Sequence, residues 1–207
     1  MNHHILYHEE KGMILFLTPK SGNTSFRASI VRAMGAQLGG EESYGFRWIT
    51  PKEAYAIKDD NPDVRAVAFV RNPIDRTLSA WKNKILPLEP RGCRVPGWGD
   101  HIKGGCTFAE YLDGLSKTDL STIDTHARPQ LSDMVVDGVF IPDITFRLED
   151  VIRDIDLYES YFESYFGINV GPLGVHNATN VKYHLTRDEK DSIIRIYSED
   201  YNEFYRR

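Results

Sequence analysis

The sequence predicts an α/β fold with three layers, in which a central parallel sheet is flanked by helices. Two observations predict the sheet: buried-strand patterns at 13–17 and 66–70 are each followed by a helical pattern. A third observation bounds the size, because 207 residues with 41% hydrophobic and 12% aromatic side chains suit one globular domain spanning 1–207. In such a fold, ligands bind in loops at the carboxyl ends of the strands.

The first strand-to-helix unit begins with the apolar run from Met13 to Leu17. Its length and continuous hydrophobicity are typical of a strand that is covered on both faces. A helix is predicted over 24–35, because apolar side chains recur there at the spacing of one helical face. Thr24 or Ser25 is expected to cap it.

The connecting loop has phosphate-binding character. It contains Lys20 and Gly22 next to side-chain amide and hydroxyl groups, and the candidate ligands are Lys20, Ser21, Gly22, Asn23, Thr24 and Ser25. Backbone N–H groups at a helix N-terminus, together with one lysine, can hold a phosphate. The loop is P-loop-like but is not a Walker A loop, because its lysine precedes the glycine and the second glycine is missing.

The second unit repeats this order. A strand is predicted at 66–70, Pro73 ends it, and a helix follows at 75–85. Arg71 lies at the end of the strand, and its planar guanidinium can bind a second phosphate through two hydrogen bonds. The hydroxyl of Ser79 can donate a further hydrogen bond to that phosphate.

The remaining elements are predicted in chain order. A short helix is expected near 52–58, and helices are expected within 107–134. The long loop 86–106 is either a lid or acceptor-recognition loop, or a solvated insertion. Further elements are short strands at 139–141 and 144–147, a helix at 149–166 ended by Gly167, a loop at 168–185, and a last helix started by the capping box of Thr186 and Glu189.

Together, the two phosphate-binding segments resemble those of the sulfotransferase superfamily. The loop reads PKSGNTS, similar to the family's 5′-phosphosulfate loop, and the second segment reads RNPIDRTLSAWKNK, similar to its 3′-phosphate motif. Downstream, the stretch from His126 to Gln130 resembles the His-x-x-Pro-Gln element of Golgi-type carbohydrate sulfotransferases. The resemblance covers nearly the whole chain.

This resemblance implies a donor, an acceptor and a set of ligands. The donor would be 3′-phosphoadenosine 5′-phosphosulfate, without a metal, and the acceptor a carbohydrate or other hydroxyl-bearing molecule. Lys20 would stabilise the leaving oxygen. The donor ligands would be Lys20, Ser21, Gly22, Asn23, Thr24, Ser25, Arg71, Ser79 and Lys182. Asn180, two residues before Lys182, could also reach the phosphates or sulfate of the donor.

Two residues compete for the role of catalytic base. His126 lies in the element that matches the carbohydrate branch, and a histidine titrates near neutral pH. Glu41 lies in the segment Gly-Glu-Glu-Ser, which resembles a Gly-Glu-Glu-Thr element of tyrosylprotein sulfotransferases. Two alternatives also stay open: His126 is a structural or acceptor-binding histidine, and Glu41 belongs to an exposed acidic turn.

Composition and charge limit the other possibilities. The net charge of −5 argues against a general nucleic-acid binder. No apolar run approaches the length of a membrane span, and the N-terminus lacks the features of a signal peptide. We therefore expect a soluble cytoplasmic enzyme, with a trimmed catalytic domain as the alternative. Two free thiols are therefore expected at Cys93 and Cys106, with a disulfide as the alternative.

Two other classes of function compete with sulfuryl transfer. A P-loop nucleotide or small-molecule kinase is disfavoured by the missing Walker A pattern and by the lack of an obvious Walker B aspartate. A non-catalytic binder of phosphonucleotides or sulfated glycans would keep the same fold and lose turnover.

Overall fold

A computed structural model describes residues 4–35, 37, 39, 41–174 and 181–206. Contacts within the chain divide it into two compact units. The first contains the described residues up to Arg71 and those from Asp133 to 174, and the second contains Asn72–Ser132 and 181–206. That the chain forms one domain stays a prediction.

The first unit is built on a five-stranded sheet. Its strands are β1 (Ile5–His8), β2 (Met13–Leu17), β3 (Phe46–Ile49), β4 (Arg65–Val70) and, later in the chain, β7 (Ile144–Arg147), in the order β3-β1-β2-β4-β7. Strands β2, β4 and β7 run parallel, whereas β1 is antiparallel to both β2 and β3. With helices flanking this sheet, the predicted α/β class is confirmed, although the sheet is mixed at one side.

A separate two-stranded ribbon precedes β7. Its strands, β5 (Val135–Val136) and β6 (Val139–Phe140), are antiparallel and are joined by Asp137 and Gly138, a dipeptide typical of tight hairpins. The strand predicted at 139–141 therefore exists, one residue shorter, but it does not join the main sheet.

Within the described residues, the first unit has the α-helices α1 (Asn23–Ala33), α2 (Pro51–Asp60), α5 (Leu148–Arg153) and α6 (Asp156–Phe166), and a 3-10 helix (Glu41–Tyr44). Aromatic side chains from helices and sheet form its core. The rings of Phe26 and Phe69 stack with centroids 4.1 Å apart, and Tyr158 and Phe162 are fully buried beside them. Apolar burial of this kind is the main stabilising contribution to the fold.

The single helix predicted at 149–166 is two helices, so that prediction was wrong. Asp154 adopts an extended conformation that ends α5, and its carboxylate accepts the N–H of Asp156 at 3.2 Å, which starts α6. The predicted end at Gly167 is confirmed, with that residue in the left-handed conformation.

The second unit is helical. Its elements are α3 (Pro73–Ala80), a π-helical turn (Trp81–Ile85), α4 (Phe108–Ser116), a 3-10 helix (Gln130–Asp133) whose last residue is counted with the first unit, α7 (Arg187–Ile196) and α8 (Ser198–Phe204). Thr186 and Glu189 form the predicted capping box of α7. The segment predicted as a helix at 75–85 is helical throughout and begins two residues earlier, at Pro73. Its last turn is π-helical, because the N–H of Leu86 bonds to the carbonyl of Trp81.

The loop at 86–106 is anchored to the second unit. Val95, Trp98 and Ile102 are buried in the core of that unit. Cys93 accepts a backbone hydrogen bond from Gly104 at 2.9 Å, which closes the loop on itself. A purely solvated insertion is therefore wrong, and a lid over the site stays a prediction. Cys93 and Cys106 are free thiols, as expected.

In the part of the chain that the structure describes, no helix has both the length and the apolar character that a membrane crossing requires. Residues 168–174 and 181–186 form neither helix nor strand, in agreement with the predicted loop.

Candidate active site

The loop after β2 folds into a compact turn. The N–H of Ser21 bonds back to the carbonyl of Thr18 at 3.3 Å, and both Lys20 and Gly22 have positive φ, 67° and 76°. Ser21 is fully buried, whereas Lys20, Asn23 and Thr24 are half-buried. The backbone of this turn is thus held in a defined shape, with the lysine at its apex.

Helix α1 begins differently from the prediction. Its N-cap is Gly22, not Thr24 or Ser25, and the Gly22 carbonyl accepts the N–H of Phe26 at 2.9 Å. The side-chain amide of Asn23 donates to the carbonyl of Leu17 at 2.9 Å, which ties the helix start to the end of β2. Thr24 and Ser25 therefore lie inside the first turn of the helix, where a hydroxyl no longer caps.

Gly22 is required by both conformation and space. A Cβ at this position would lie 2.8 Å from Cδ1 of Leu148, the first residue of α5, and 3.2 Å from Cε2 of Phe26. Left-handed φ also favours glycine. The loop is consequently packed against the segment that follows β7.

The start of α1 has the electrostatics of an anion site. Among the described residues, no side chain caps α1 and none of the first-turn residues is acidic. The positive end of the helix dipole is therefore not offset by a carboxylate of its own first turn. Phosphate and sulfate groups bind at such helix starts.

The structure brings Arg71 to this loop. Strands β2 and β4 are parallel neighbours, with Leu17 paired to Phe69, so their carboxyl ends share one edge of the sheet. Nη1 of Arg71 donates to the carbonyl oxygen of Lys20 at 3.2 Å. The two motifs that are 51 residues apart in sequence therefore meet at one place in the first unit.

A further cation marks the same edge of the sheet. Arg147 is the last residue of β7, which pairs with β4, and its Nε lies 2.7 Å from Oδ2 of Asp150. This ion pair orients the guanidinium at the carboxyl end of a third parallel strand. Sequence analysis missed Arg147, although its place at the end of a predicted strand was a usable signal.

In the second unit, Asn72 and Pro73 start α3. The Asn72 side chain accepts the N–H of Ile74 at 2.9 Å, and Pro73 occupies the first turn, where a missing N–H costs nothing. Ser79 lies half-buried near the end of this helix, immediately before the π-helical turn. Its predicted role in binding the 3′-phosphate stays a prediction.

His126 is held by a neighbouring aspartate. Its Nδ1 lies 2.7 Å from Oδ1 of Asp124, and the same oxygen accepts the backbone N–H of His126 at 2.9 Å. The His126 side chain is 24% exposed, so its ring is neither sealed in the core nor fully solvated. Sequence analysis missed Asp124, although an aspartate two residues before a histidine is the spacing of such a turn.

The charge on Asp124 is stabilised by these contacts. Burial alone would raise the pKa of this carboxyl, but the hydrogen bonds from the side chain and backbone of His126 outweigh burial, and the charge of Lys84 adds to them. The pKa of Asp124 is therefore lowered below its ordinary value. The carboxylate form, which accepts hydrogen bonds, is favoured.

Buried polar groups fix the rest of the His126 element. The hydroxyl of Tyr197 donates to the carbonyl of Ala127 at 2.6 Å, and the carboxylate of Asp200 accepts the N–H groups of Gln130 and Leu131 at 2.8 and 3.0 Å. Nη2 of Arg76 donates to the carbonyl of Thr125 at 3.1 Å. All these groups are buried or half-buried, so the backbone from 125 to 131 is held at many points.

The carboxylate of Asp200 is itself fully buried. Desolvation raises the pKa of its carboxyl, although the charge of Arg76 and the two backbone N–H groups lower it in part. Neither Asp200 nor Arg76 was identified from sequence as a support for His126, because the three lie far apart in the chain and share no local pattern.

The other candidates are less defined. Glu41 is the first residue of a 3-10 helix, Glu41–Tyr44, and its side chain lies outside the described part of the structure. Lys182 is exposed in the segment before α7, and Asn180 lies outside the described residues. The roles of Glu41 and Lys182 stay predictions. Among the described residues, no cluster of three or more potential metal ligands occurs.

Comparison with known proteins identifies the family. The sequence model described as "Sulfotransferase family" matches residues 3–206, which is almost the entire chain. Searches of curated proteins and of solved structures found no match. The chain belongs to the sulfotransferase family. It is a transferase that moves a sulfuryl group to a hydroxyl-bearing acceptor.

Proposed function

We propose that this sulfotransferase takes the sulfuryl group from 3′-phosphoadenosine 5′-phosphosulfate and transfers it to a hydroxyl group of a carbohydrate. One observation carries the donor assignment: Arg71 donates a hydrogen bond to the carbonyl of Lys20, so the two motifs meet at one edge of the sheet. A donor with phosphates at both its 3′ and 5′ positions needs cationic groups at two neighbouring places.

Each part of the donor has proposed ligands. The turn from Lys20 to Ser25, with the N–H groups at the start of α1, binds the 5′-phosphosulfate. Arg71 and Ser79 bind the 3′-phosphate, and Lys182 adds a further charge.

The chemistry follows from the demands of group transfer. The acceptor oxygen attacks sulfur as the bond from sulfur to the bridging oxygen breaks, and the bridging oxygen keeps the electron pair as adenosine 3′,5′-bisphosphate leaves. Lys20 stabilises the negative charge that develops on that oxygen. His126 is the proposed base that takes the hydroxyl proton, and Glu41 is the alternative base.

The carbohydrate acceptor rests on the element from His126 to Gln130, which resembles that of carbohydrate sulfotransferases. In support, buried contacts hold this element at two places, at Ala127 through Tyr197 and at Gln130 through Asp200. A rigid backbone is what a base needs in order to meet a hydroxyl at hydrogen-bond distance.

Calorimetry with adenosine 3′,5′-bisphosphate tests the donor assignment. Arg71→Ala should weaken binding by roughly 10–150-fold, which corresponds to about 1.5–3 kcal/mol for one charge-assisted contact. Arg65→Ala is the matched control: Arg65 begins the same strand at its other end, where its guanidinium lies over the ring of Tyr165. Arg71→Lys should fall between, because it keeps the charge and loses the planar fork.

The acceptor assignment can be tested only by measuring turnover. Transfer of radiolabelled sulfate from the donor to a panel of glycans, with a tyrosine peptide as comparison, identifies the acceptor class. ADP bound as tightly as the bisphosphate, together with an obligatory divalent ion, would favour a kinase. Tight bisphosphate binding without transfer to any acceptor would leave a non-catalytic binder.

A further inference from the structure

We propose that Asp124 is a positioning residue that holds His126 as the tautomer with the proton on Nδ1, so that Nε2 is the atom that accepts the proton of the acceptor hydroxyl. This inference rests on the proposed function of His126 as the base. It assigns to Asp124 a role that the resemblance does not contain.

The geometry supports a single orientation of the imidazole ring. Oδ1 of Asp124 lies 2.7 Å from Nδ1 of His126, and a carboxylate that ordinarily carries a charge can only accept a hydrogen bond. Nδ1 must therefore carry the proton, which leaves Nε2 as the basic nitrogen in the neutral ring. A carboxylate on the first nitrogen of a catalytic histidine also stabilises the imidazolium that forms when the second nitrogen takes a proton.

The carboxylate is fixed as firmly as the ring. The same Oδ1 accepts the backbone N–H of His126 at 2.9 Å, so the side chain of Asp124 closes a local turn. The carbonyl of Asp124 accepts the N–H groups of Ala127 and Arg128, and its own N–H donates to Gly97 at 2.7 Å. Because its backbone and its carboxylate are both bonded, Asp124 cannot turn away without breaking several hydrogen bonds.

Charged neighbours favour the same state. Lys84 stabilises the charge of Asp124, and the charge of Asp124 in turn acts on the buried hydroxyl of Tyr111.

In the transfer step, the proton of the acceptor hydroxyl moves to Nε2, the oxygen–sulfur bond forms, and the bisphosphate leaves with its electron pair. The imidazolium that results faces a carboxylate across 2.7 Å and later releases its proton to water.

Because one oxygen accepts both bonds, two substitutions separate hydrogen bonding from charge. Asp124→Asn can present an oxygen at the same place and keep both bonds, so it removes mainly the charge. Asp124→Ala removes both bonds and the charge. Turnover should fall by at least about tenfold in Asp124→Ala, up to the roughly 10²–10⁴-fold that a general base contributes, and by less in Asp124→Asn.

A matched control lies five residues upstream. The carboxylate of Asp119 accepts the N–H of Ser121 at 2.9 Å in the same kind of turn, without a histidine. Asp119→Ala should leave both turnover and bisphosphate binding unchanged. The comparison separates a loss of turn structure from a loss of the histidine partner.

The second readout does not need turnover. Nitrogen-15 NMR of the imidazole rings distinguishes the two tautomers, and the His126 signal is assigned by its loss in His126→Gln. The wild type and Asp124→Asn should show the proton on Nδ1, whereas Asp124→Ala should shift toward the proton on Nε2. Should Asp124→Ala fail to fold, Asp124→Ser keeps an oxygen for the turn and replaces it in both measurements.

The outcomes separate this inference from the proposed function. Wild-type turnover in Asp124→Ala, or an unchanged tautomer, would overturn the role of Asp124. Bisphosphate binding within about twofold of wild type would show that the donor site is intact, whichever way turnover moves. If the wild type transferred sulfate to no glycan, the carbohydrate assignment would fail, and the tautomer would still decide whether Asp124 positions His126.

Discussion

Substitution of Gly22 by alanine tests whether the start of α1 is as tightly built as the structure indicates. Two costs add. A side chain at φ 76° costs about 1 kcal/mol relative to glycine. The new Cβ would also lie 2.8 Å from Cδ1 of Leu148 and 3.2 Å from Cε2 of Phe26, so it is confined on two sides.

The second cost is an overpacking term. It should lie at the low end of the usual range, about 1–2 kcal/mol, because the Leu148 atom is the flexible end of a side chain. Gly22→Ala should therefore lower the free energy of unfolding by about 2–3 kcal/mol. For a chain of this size, each 1 kcal/mol corresponds to about 2–4 °C in Tm.

Gly35→Ala is the matched control. Gly35 has a φ of 79°, and a Cβ there would meet nothing within 4 Å. It should cost only the conformational term of about 1 kcal/mol. Thermal unfolding of both variants, with bisphosphate binding measured alongside, isolates the contact with Leu148.

A double variant completes the test. In a Leu148→Ala background, Gly22→Ala should lose its overpacking cost and approach the effect of Gly35→Ala. Equal destabilisation by Gly22→Ala and Gly35→Ala in the wild-type background would refute the close packing of the loop against α5.

Three further predictions concern charge. Asp200→Ala should destabilise the protein by about 1–3 kcal/mol in chemical denaturation, because it leaves the N–H groups of Gln130 and Leu131 without their acceptor in a buried place; a loss below about 0.5 kcal/mol would contradict a structural role. The lowered pKa of Asp124 means that its contribution to stability is present above the ordinary aspartate value and is lost as pH falls through its pKa in the folded protein. The stability difference between wild type and Asp124→Asn should therefore vanish in acid, and a difference that persists at the lowest pH would show another origin. Lys20→Ala should lose most of its turnover while wild-type turnover survives EDTA, and an obligatory divalent ion would contradict this account of the leaving group.

Much of the parallel sheet could be predicted from sequence. The runs at 13–17 and 66–70 are continuous apolar segments. Strands that are buried on both faces require such continuous runs, so they can be identified from sequence. Strands β1 and β3 were missed for physical reasons. In β1 only Ile5, Leu6 and Tyr7 form an apolar run, between two histidines, which is too short to identify a covered strand. In β3 the exposed pair Arg47 and Trp48 breaks the alternation that identifies a half-buried strand.

The candidate site was predicted only in part. Lys20 and Arg71 could be found because each follows a recognisable strand, and the sheet register then brings them to one edge. The supports of His126 could not be found in this way. The side chains of Arg76, Tyr197 and Asp200 contact the backbone of 125–131, far away in sequence. Only folding brings these groups together, and single-sequence patterns carry no information on such pairs.

The cytoplasmic location, the donor ligands Ser79 and Lys182, and the choice between His126 and Glu41 stay predictions. Each depends on a property that local sequence does not encode. A base is defined by where its nitrogen or oxygen meets the acceptor, and a location by cellular machinery that acts on the chain.

The conformation of Lys20 carries a consequence for how this protein can change over time. A lysine at φ 67° occupies a backbone shape that glycine adopts more readily, at a cost of about 1 kcal/mol. Arg71 bonds to the carbonyl of this residue and not to its side chain, so the guanidinium would keep that partner whatever side chain stood there. Glycine at this position should therefore stabilise the turn and keep the bond from Arg71, and it would remove the amine that we propose stabilises the leaving oxygen. Under the proposed role of Lys20, thermal stability and turnover therefore make opposite demands on this one position.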